Sequence, residues 1–369
     1  MSLELDQTLR GASRLSDQTL RWELAGFGLT LRSNSDALLL RIAEYLQGFA
    51  LTSSASAKPA HTLEIEAYER HDLDLSALTK EWPREAGKRG RKDTYRDVPK
   101  GADSERLIYK VRTGMHFLQR PGSRIAAGPC LANDNQLINF INAQWMSALQ
   151  QQGWLIGHAS AVVREQRALA IAGLSGGGKS TLMLKLLAHG GQFMSNDRLF
   201  MHRQGSQVAA QGIAKWPRIN PGTIVHDQQL QSLIPEAERR RFLALPVEQL
   251  RQLEQKYDAP IPQLYGDGRV CLNAPLGALV VLNWDAGTTQ ATRLKPIEWS
   301  ERYLPALMKS SGPFYQRTDG RFWRPDDIPA KQSYLDVLRD VPVFELSGRI
   351  DFEAATELCL AQCWDTDLA

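Results

Sequence analysis

Nine residues carry the first chemical signal: Gly173-Leu174-Ser175-Gly176-Gly177-Gly178-Lys179-Ser180-Thr181. Glycine, four residues, glycine, lysine and serine make a phosphate-loop pattern. The backbone N–H groups of such a loop wrap a polyphosphate, and glycines allow the close approach and the positive φ angles this needs. The helix that follows turns its positive N-terminal end to the phosphates. Lys179 adds a point charge, and the Ser180 hydroxyl is placed to reach a magnesium ion. A plain glycine-rich turn between a strand and a helix would need neither the lysine nor the serine. The expected ligand is ATP or another nucleotide, with Mg²⁺, held by Gly173, Ser175, Gly176, Gly177, Gly178, Lys179, Ser180 and Thr181.

Phosphoryl transfer also needs a metal ligand, a group that orients or deprotonates the acceptor, and cations for the developing charge. Asp197, in Ser195-Asn196-Asp197, suits magnesium or proton abstraction, although Asn-Asp is also turn chemistry. His158 either orients an acceptor or touches a phosphate, or is structural. Arg218, in Lys215-Trp216-Pro217-Arg218, either faces a transferring phosphoryl group or lies along the surface.

These residues need particular elements to position them. Ala168–Ala172 reads as a buried strand before the loop. Thr181–Ala188 reads as the helix after it, closed by Gly190-Gly191. A short strand, Gln192–Met194, leads to Asp197. Leu276–Leu282 and Val341–Leu346 read as further buried strands, and Phe352–Trp364 as a closing helix. Glu236–Tyr257 reads as an insertion of two short helices broken at Pro246. Upstream, Phe27–Arg32 and His61–Ala67 alternate as strands, with a helix over 37–46 between them and a Ser/Ala-rich loop over 51–58. A hairpin is expected from Leu107–Arg112 and Met115–Leu118. The basic run Arg84–Arg96 is either a solvated loop or a clamp for phosphates or an acidic partner. Asn133–Leu149 has amphipathic helix spacing. The expected organisation is an N-terminal α+β domain over 1–130, a connecting helix over 131–152 and a nucleotide-binding domain over 153–369.

With 369 residues, 23% charged and 43% hydrophobic, the chain has an ordinary globular composition. A net charge of +3 argues against a general nucleic-acid binder. No apolar run approaches the roughly 20 residues of a membrane span. The acidic, polar start is unlike a signal peptide, and four cysteines in this length are not a disulfide scaffold. The expected location is the cytoplasm, with neither membrane nor nucleic acid as partner.

The spacing of these residues resembles that of the HPr kinase/phosphorylase group. His158 stands fifteen residues before Gly173, as that family's histidine precedes its phosphate loop. Asp197 stands eighteen residues after Lys179, where the family has the second residue of an Ala-Asp-Asp triplet. Leu276–Trp284 ends in Val-Leu-Asn-Trp, like the family's later core strand. The Ser33-Asn-Ser segment, Gly87–Asp93 and Lys110–Met115 resemble the HPr-kinase-related subfamily called kinase B. The resemblance implies an α/β fold: a phosphoenolpyruvate-carboxykinase-like P-loop kinase domain with a mixed sheet, preceded by a smaller α+β domain. It also implies Mg²⁺-dependent transfer to a hydroxyl of a protein serine or a small molecule, a homo-oligomer up to a hexamer, and an ATP-grasp protein encoded nearby. Metal ligation falls to Ser180 and Asp197, and the catalytic set to Asp197, His158, Lys179 and Arg218.

One position departs from the family pattern. Asn196 stands where the first carboxylate of the triplet belongs, and an amide cannot take a proton as a carboxylate does. The expected activity is therefore that of a kinase with a hydroxyl acceptor, with the reverse phosphorolysis put in doubt. A nucleotide-sensing module without transfer is the alternative, and a plain NTPase coupled to motion a third. The sequence does not distinguish a protein acceptor from a metabolite.

Overall fold

The structure, a computed structural model, describes residues 2–24, 26–49, 61–82, 93–98, 105–253, 255–285, 287–309, 312–317, 319–324, 327 and 329–364. The Ser/Ala-rich stretch 51–58 and residues 84–92 of the basic run lie outside them. The chain forms two compact units: Met1–Trp154 with Ser310–Pro329, and Leu155–Lys309 with Ala330–Ala369. Each is mixed α/β.

The first unit contains α1 (Ser2–Arg10), β1 (Thr19–Leu24), β2 (Phe27–Ser33), α2 (Asp36–Gln47), β3 (His61–Glu69), β4 (Lys80–Glu81) and β5 (Thr94–Val98). It continues with β6 (Glu105–Lys110), β7 (Met115–Arg120), β8 (Ser123–Gly128) and α3 (Asp134–Gln151). The sheet order is β1-β2-β3-β8-β7-β6-β5-β4. Its registers explain why both faces are apolar. Leu107, Leu118 and Ile125 align across three strands and pack under α1 through Leu5 and Leu9. Ile108, Phe117 and Ala126 align one residue away, and so face the other side. There Phe117 meets Phe140 of α3 at 4.7 Å. The basic run therefore ends in structure: Arg96 lies on β5, paired with Leu107.

The helix expected to connect two domains belongs to this first unit. Trp145 of α3 stacks on Phe27 at 5.0 Å. Residues 310–329, expected within the second domain, also return here. Phe314 meets Phe117 and Phe140, and its carbonyl accepts from Ser147 at 2.7 Å. Arg106, fully buried, forks onto Asp97 and donates to the Pro313 and Trp323 carbonyls at 2.8 and 3.0 Å. Such a buried guanidinium is stable only with its donors filled. Apolar burial and this charge together hold the returning segment.

The second unit begins with β9 (Leu155–Gly157), β10 (Ala159–Arg164), β11 (Arg167–Gly173), α4 (Lys179–Ala188), β12 (Gln192–Ser195), β13 (Leu199–Gln204) and β14 (Gln207–Gln211). A peripheral group follows: β15 (Arg218–Ile219), α5 (Pro221–Ile224), α6 (Glu236–Leu243), α7 (Val247–Gln252), β16 (Tyr257–Asp258) and α8 (Ile261–Tyr265). The two short helices separated at Pro246 are those expected. The unit closes with β17 (Asn273–Leu282), β18 (Arg293–Pro296), α9 (Leu304–Leu307), α10 (Lys331–Val337), β19 (Val343–Ser347) and α11 (Phe352–Cys359), the last continued by a π turn to Trp364.

One strand serves two sheet regions. The start of β17 pairs antiparallel with β14, its Leu276–Leu282 stretch lies parallel to β11, and on the other side Leu279–Leu282 lies parallel to β19. Burial on both faces is why that stretch is continuously apolar. Along β11, Ala168, Ala170 and Ala172 join a core that includes Leu307 and Tyr334. Leu169 and Ile171 alternate to the opposite face, where α4 packs.

Candidate nucleotide and phosphoryl-transfer site

The strand order β12-β10-β11-β17-β19 places four chain segments at one sheet end. With β10 antiparallel to its neighbours, β12, β11, β17 and β19 run the same way. Their carboxyl ends deliver, in order, Asp197, the glycine loop, Trp284 and Ile350. A cavity of about 1180 Å³ opens there, and all four segments line it.

The loop lies between β11 and α4, as the pattern requires. Gly178 caps α4 with φ +90°, and a Cβ on it would meet Phe352 at 2.7 Å and Trp284 at 2.9 Å. Only glycine fits that turn against that wall. The Trp284 indole N–H donates to the Gly177 carbonyl at 2.9 Å. Lys179 is nearly buried, and its ammonium donates to the carbonyls of Gly173 at 2.8 Å and Leu174 at 3.1 Å. Burial pulls its pKa down to about 8, against the opposing charge of Asp197 and alongside the like charges of Lys309 and Lys256. Ser175, Gly176, Gly177, Gly178, Ser180 and Thr181 line the cavity. Gly173 does not, and serves through its carbonyl. Thr181 Oγ1 lies 3.1 Å from Thr223 Oγ1 on α5.

Asp197 is positioned by a turn pinned at both ends. Ser160 Oγ donates to the Asn196 carbonyl at 2.7 Å, and Ser195 Oγ to the Arg198 carbonyl at 2.8 Å. Three cationic or ionisable side chains converge on its carboxylate: His158 Nε2 at 3.1 Å, Arg198 at 3.3 Å and Lys309 at 3.4 Å. Burial alone would raise this carboxyl. The His158 hydrogen bond and the Arg198 and Lys309 charges outweigh it and hold the group well below the usual carboxylate range. A carboxylate held so low is a weak base. His158 reaches it because its backbone N–H donates to the Leu307 carbonyl at 2.6 Å. Leu307 is the last residue of α9, and Lys309 follows two residues later.

Arg218 lines the cavity but is half-exposed and pairs with Asp258 at 3.4 Å. Lys215, three residues earlier, was passed over in the sequence. Its backbone N–H turns back onto Ile213 at 2.7 Å, and its side chain lines the cavity. Burial, aided by the charge of Arg198, lowers its pKa to about 7. Arg198 and Lys309 were also missed. No spacing signals a lysine that arrives from 112 residues downstream of Asp197.

Known proteins add little to this geometry. No family model and no curated protein matches the chain. Among solved structures, the Hpr(Ser) kinase/phosphatase from Coxiella burnetii is similar over 56% of this chain and 94% of that chain, at 13% sequence identity and a TM-score of 0.29. A likeness of that score carries no weight for fold or chemistry. Among the described residues, no helix is long and apolar enough to cross a membrane.

The donors near Asp197 fit a hard, oxygen-seeking cation. Among the described residues Asn196 Oδ1 is buried without a hydrogen-bond partner, and Asn196 lines the same cavity as Asp197. No cluster of three or more His, Cys, Asp or Glu side chains occurs among the described residues.

Proposed function

We propose that this protein is a kinase of the HPr kinase/phosphorylase type, moving a nucleotide phosphoryl group to a hydroxyl acceptor. The observation that carries the reading is a single cavity holding the loop with Lys179 and, two strands away, Asp197 gripped by His158, Arg198 and Lys309. In this reading the loop amides and the N-terminus of α4 bind the β- and γ-phosphates. Lys179 exchanges its carbonyl partners for phosphate oxygens. Ser180 and Asp197 would hold Mg²⁺, with Asn196 Oδ1 within the same donor set; the ion would supply charge neutralisation across the phosphates. Asp197 and His158 orient the acceptor hydroxyl, and a loose phosphoryl transition state asks for little base assistance. Arg198, Lys215, Lys309 and, from the rim, Arg218 stabilise the equatorial oxygens as charge shifts.

The test is transfer from γ-labelled ATP to candidate acceptors. Lys179→Ala and Asp197→Asn are each expected to lower turnover by at least about 100-fold. Full transfer by the Asp197→Asn protein would sink the assignment. A nucleotide-sensing module without transfer is the second reading, favoured by the amide at Asn196. It predicts nucleotide binding with no phosphorylated product by mass spectrometry.

A further inference from the structure

Ile350 exposes 39% of its surface on the cavity wall. A lone exposed isoleucine needs no explanation, but this one sits on a rigidly built turn. Gly348 has φ +91°, and a Cβ there would meet the Ala291 carbonyl oxygen at 2.2 Å. The Asp285 N–H donates to the Gly348 carbonyl at 2.9 Å, and the Arg349 N–H to the Gln290 carbonyl at 2.9 Å. Thr292 Oγ1 donates to the Arg349 carbonyl at 2.7 Å. Asp351 then caps α11 by accepting from the Ala354 N–H at 3.1 Å. The backbone that carries Ile350 to the cavity wall is thus held by hydrogen bonds on both sides rather than left on a loose loop.

Its neighbours extend the apolar surface. Trp284 and Phe352 meet edge to face at 4.8 Å and 84°, and both line the same cavity. Strand order gives the direction. Asp197 follows β12, two strands to one side of the loop strand β11, and Ile350 follows β19, two strands to the other. At a strand spacing of roughly 4.8 Å, the two ends lie on the order of 19 Å apart. A cavity of about 1180 Å³ also exceeds the roughly 300–1,000 Å³ of a single ligand site. If the γ-phosphate turns toward Asp197, the nucleoside leaves the loop toward β17 and β19. We propose that Ile350, with Trp284 and Phe352 of the same cavity lining, seats the nucleobase, a planar heteroaromatic ring gripped by apolar contact. This rests on the nucleotide reading of the loop. Trp284 has a second part as a positioning residue, because its N–H fixes the Gly177 carbonyl.

The experiment compares ATP with inorganic tripolyphosphate, both with Mg²⁺, by titration calorimetry on the full chain. The native protein should bind ATP at least about tenfold more tightly. Ile350→Ala should remove roughly tenfold of that preference and leave tripolyphosphate binding unchanged, in line with the loss of a few methylenes from an apolar site. Ile350→Val should restore most of it. Trp284→Phe keeps the apolar wall but loses the N–H, so it should weaken both ligands and preserve their ratio. Equal affinity of the native protein for both ligands would overturn the proposal, as would an equal loss of both in Ile350→Ala. Failure of the native protein to bind either ligand would instead overturn the nucleotide reading and, with it, this seat.

Discussion

Asp197 and Asn196 stand side by side in sequence with different surroundings. The carboxylate is already matched by His158, Arg198 and Lys309, whereas among the described residues the amide oxygen is buried without a partner. A second negative charge at 196 would therefore enter a region rich in positive charge. Asn196→Asp is expected to keep or raise transfer and to lower the Mg²⁺ concentration at half-maximal rate, read from a metal titration of turnover. A rise in that concentration would show that the amide, and not a charge, is what the site needs. At this scale the sequence was partly legible. Lys179, Ser180, Asp197 and His158 lie along one continuous run of β10, β11, α4 and β12, so their spacing survives into geometry. Arg198, Lys215 and Lys309 do not announce themselves. Single cations are common on surfaces, and only the fold brings these three to one carboxylate or its cavity.

Elements carry a second kind of consequence, seen in β7. Its His116 is fully buried, accepts from the Leu75 N–H at 3.1 Å and lies 4.7 Å from the Tyr109 ring. Burial pushes its pKa down to about 4. The unfolded chain takes up this proton near pH 6.5 and the native state does not, so stability is full above that pH and falls as the pH drops toward 4. A loss of about 2 kcal/mol between pH 7 and 4.5 is expected from this group. Denaturant unfolding at the two pH values measures it, and His116→Gln should flatten the dependence. The elements themselves were largely readable. The hairpin of β6 and β7, the loop strand and helix, and β17 and β19 all follow from periodicity and glycine stops. The pairing of β17 with β14 as well as β11 was not, because an apolar run records that both faces are buried and not which strands lie beside it.

At the scale of the whole molecule, the chain leaves the second unit after Lys309 and returns at Ala330. The reading of 153–369 as one domain missed this excursion, since Phe314 and Trp323 look like core residues of whatever segment they lie in. Their partners Phe117, Phe140 and Arg106 belong to the first unit. A chain of residues 153–369 should therefore expose this aromatic segment and aggregate. Residues 155–309 joined to 330–369 by a short Gly/Ser linker should remain soluble and retain nucleotide affinity, as size-exclusion chromatography and calorimetry would show. Equal solubility of the two chains would contradict it. The shared strand β17 orders what persists when the second unit breathes. Hydrogen-bonded to β11 and β19 on its two sides, Leu279–Leu282 should hold the slowest-exchanging amides of that unit, and α6 and α7 should exchange far sooner. Trp284 is two residues beyond that stretch. The glycine loop is thus moored to the most durable part of its unit, so its shape would outlast partial unfolding of the periphery, and nucleotide recognition would fail late rather than early as temperature rises.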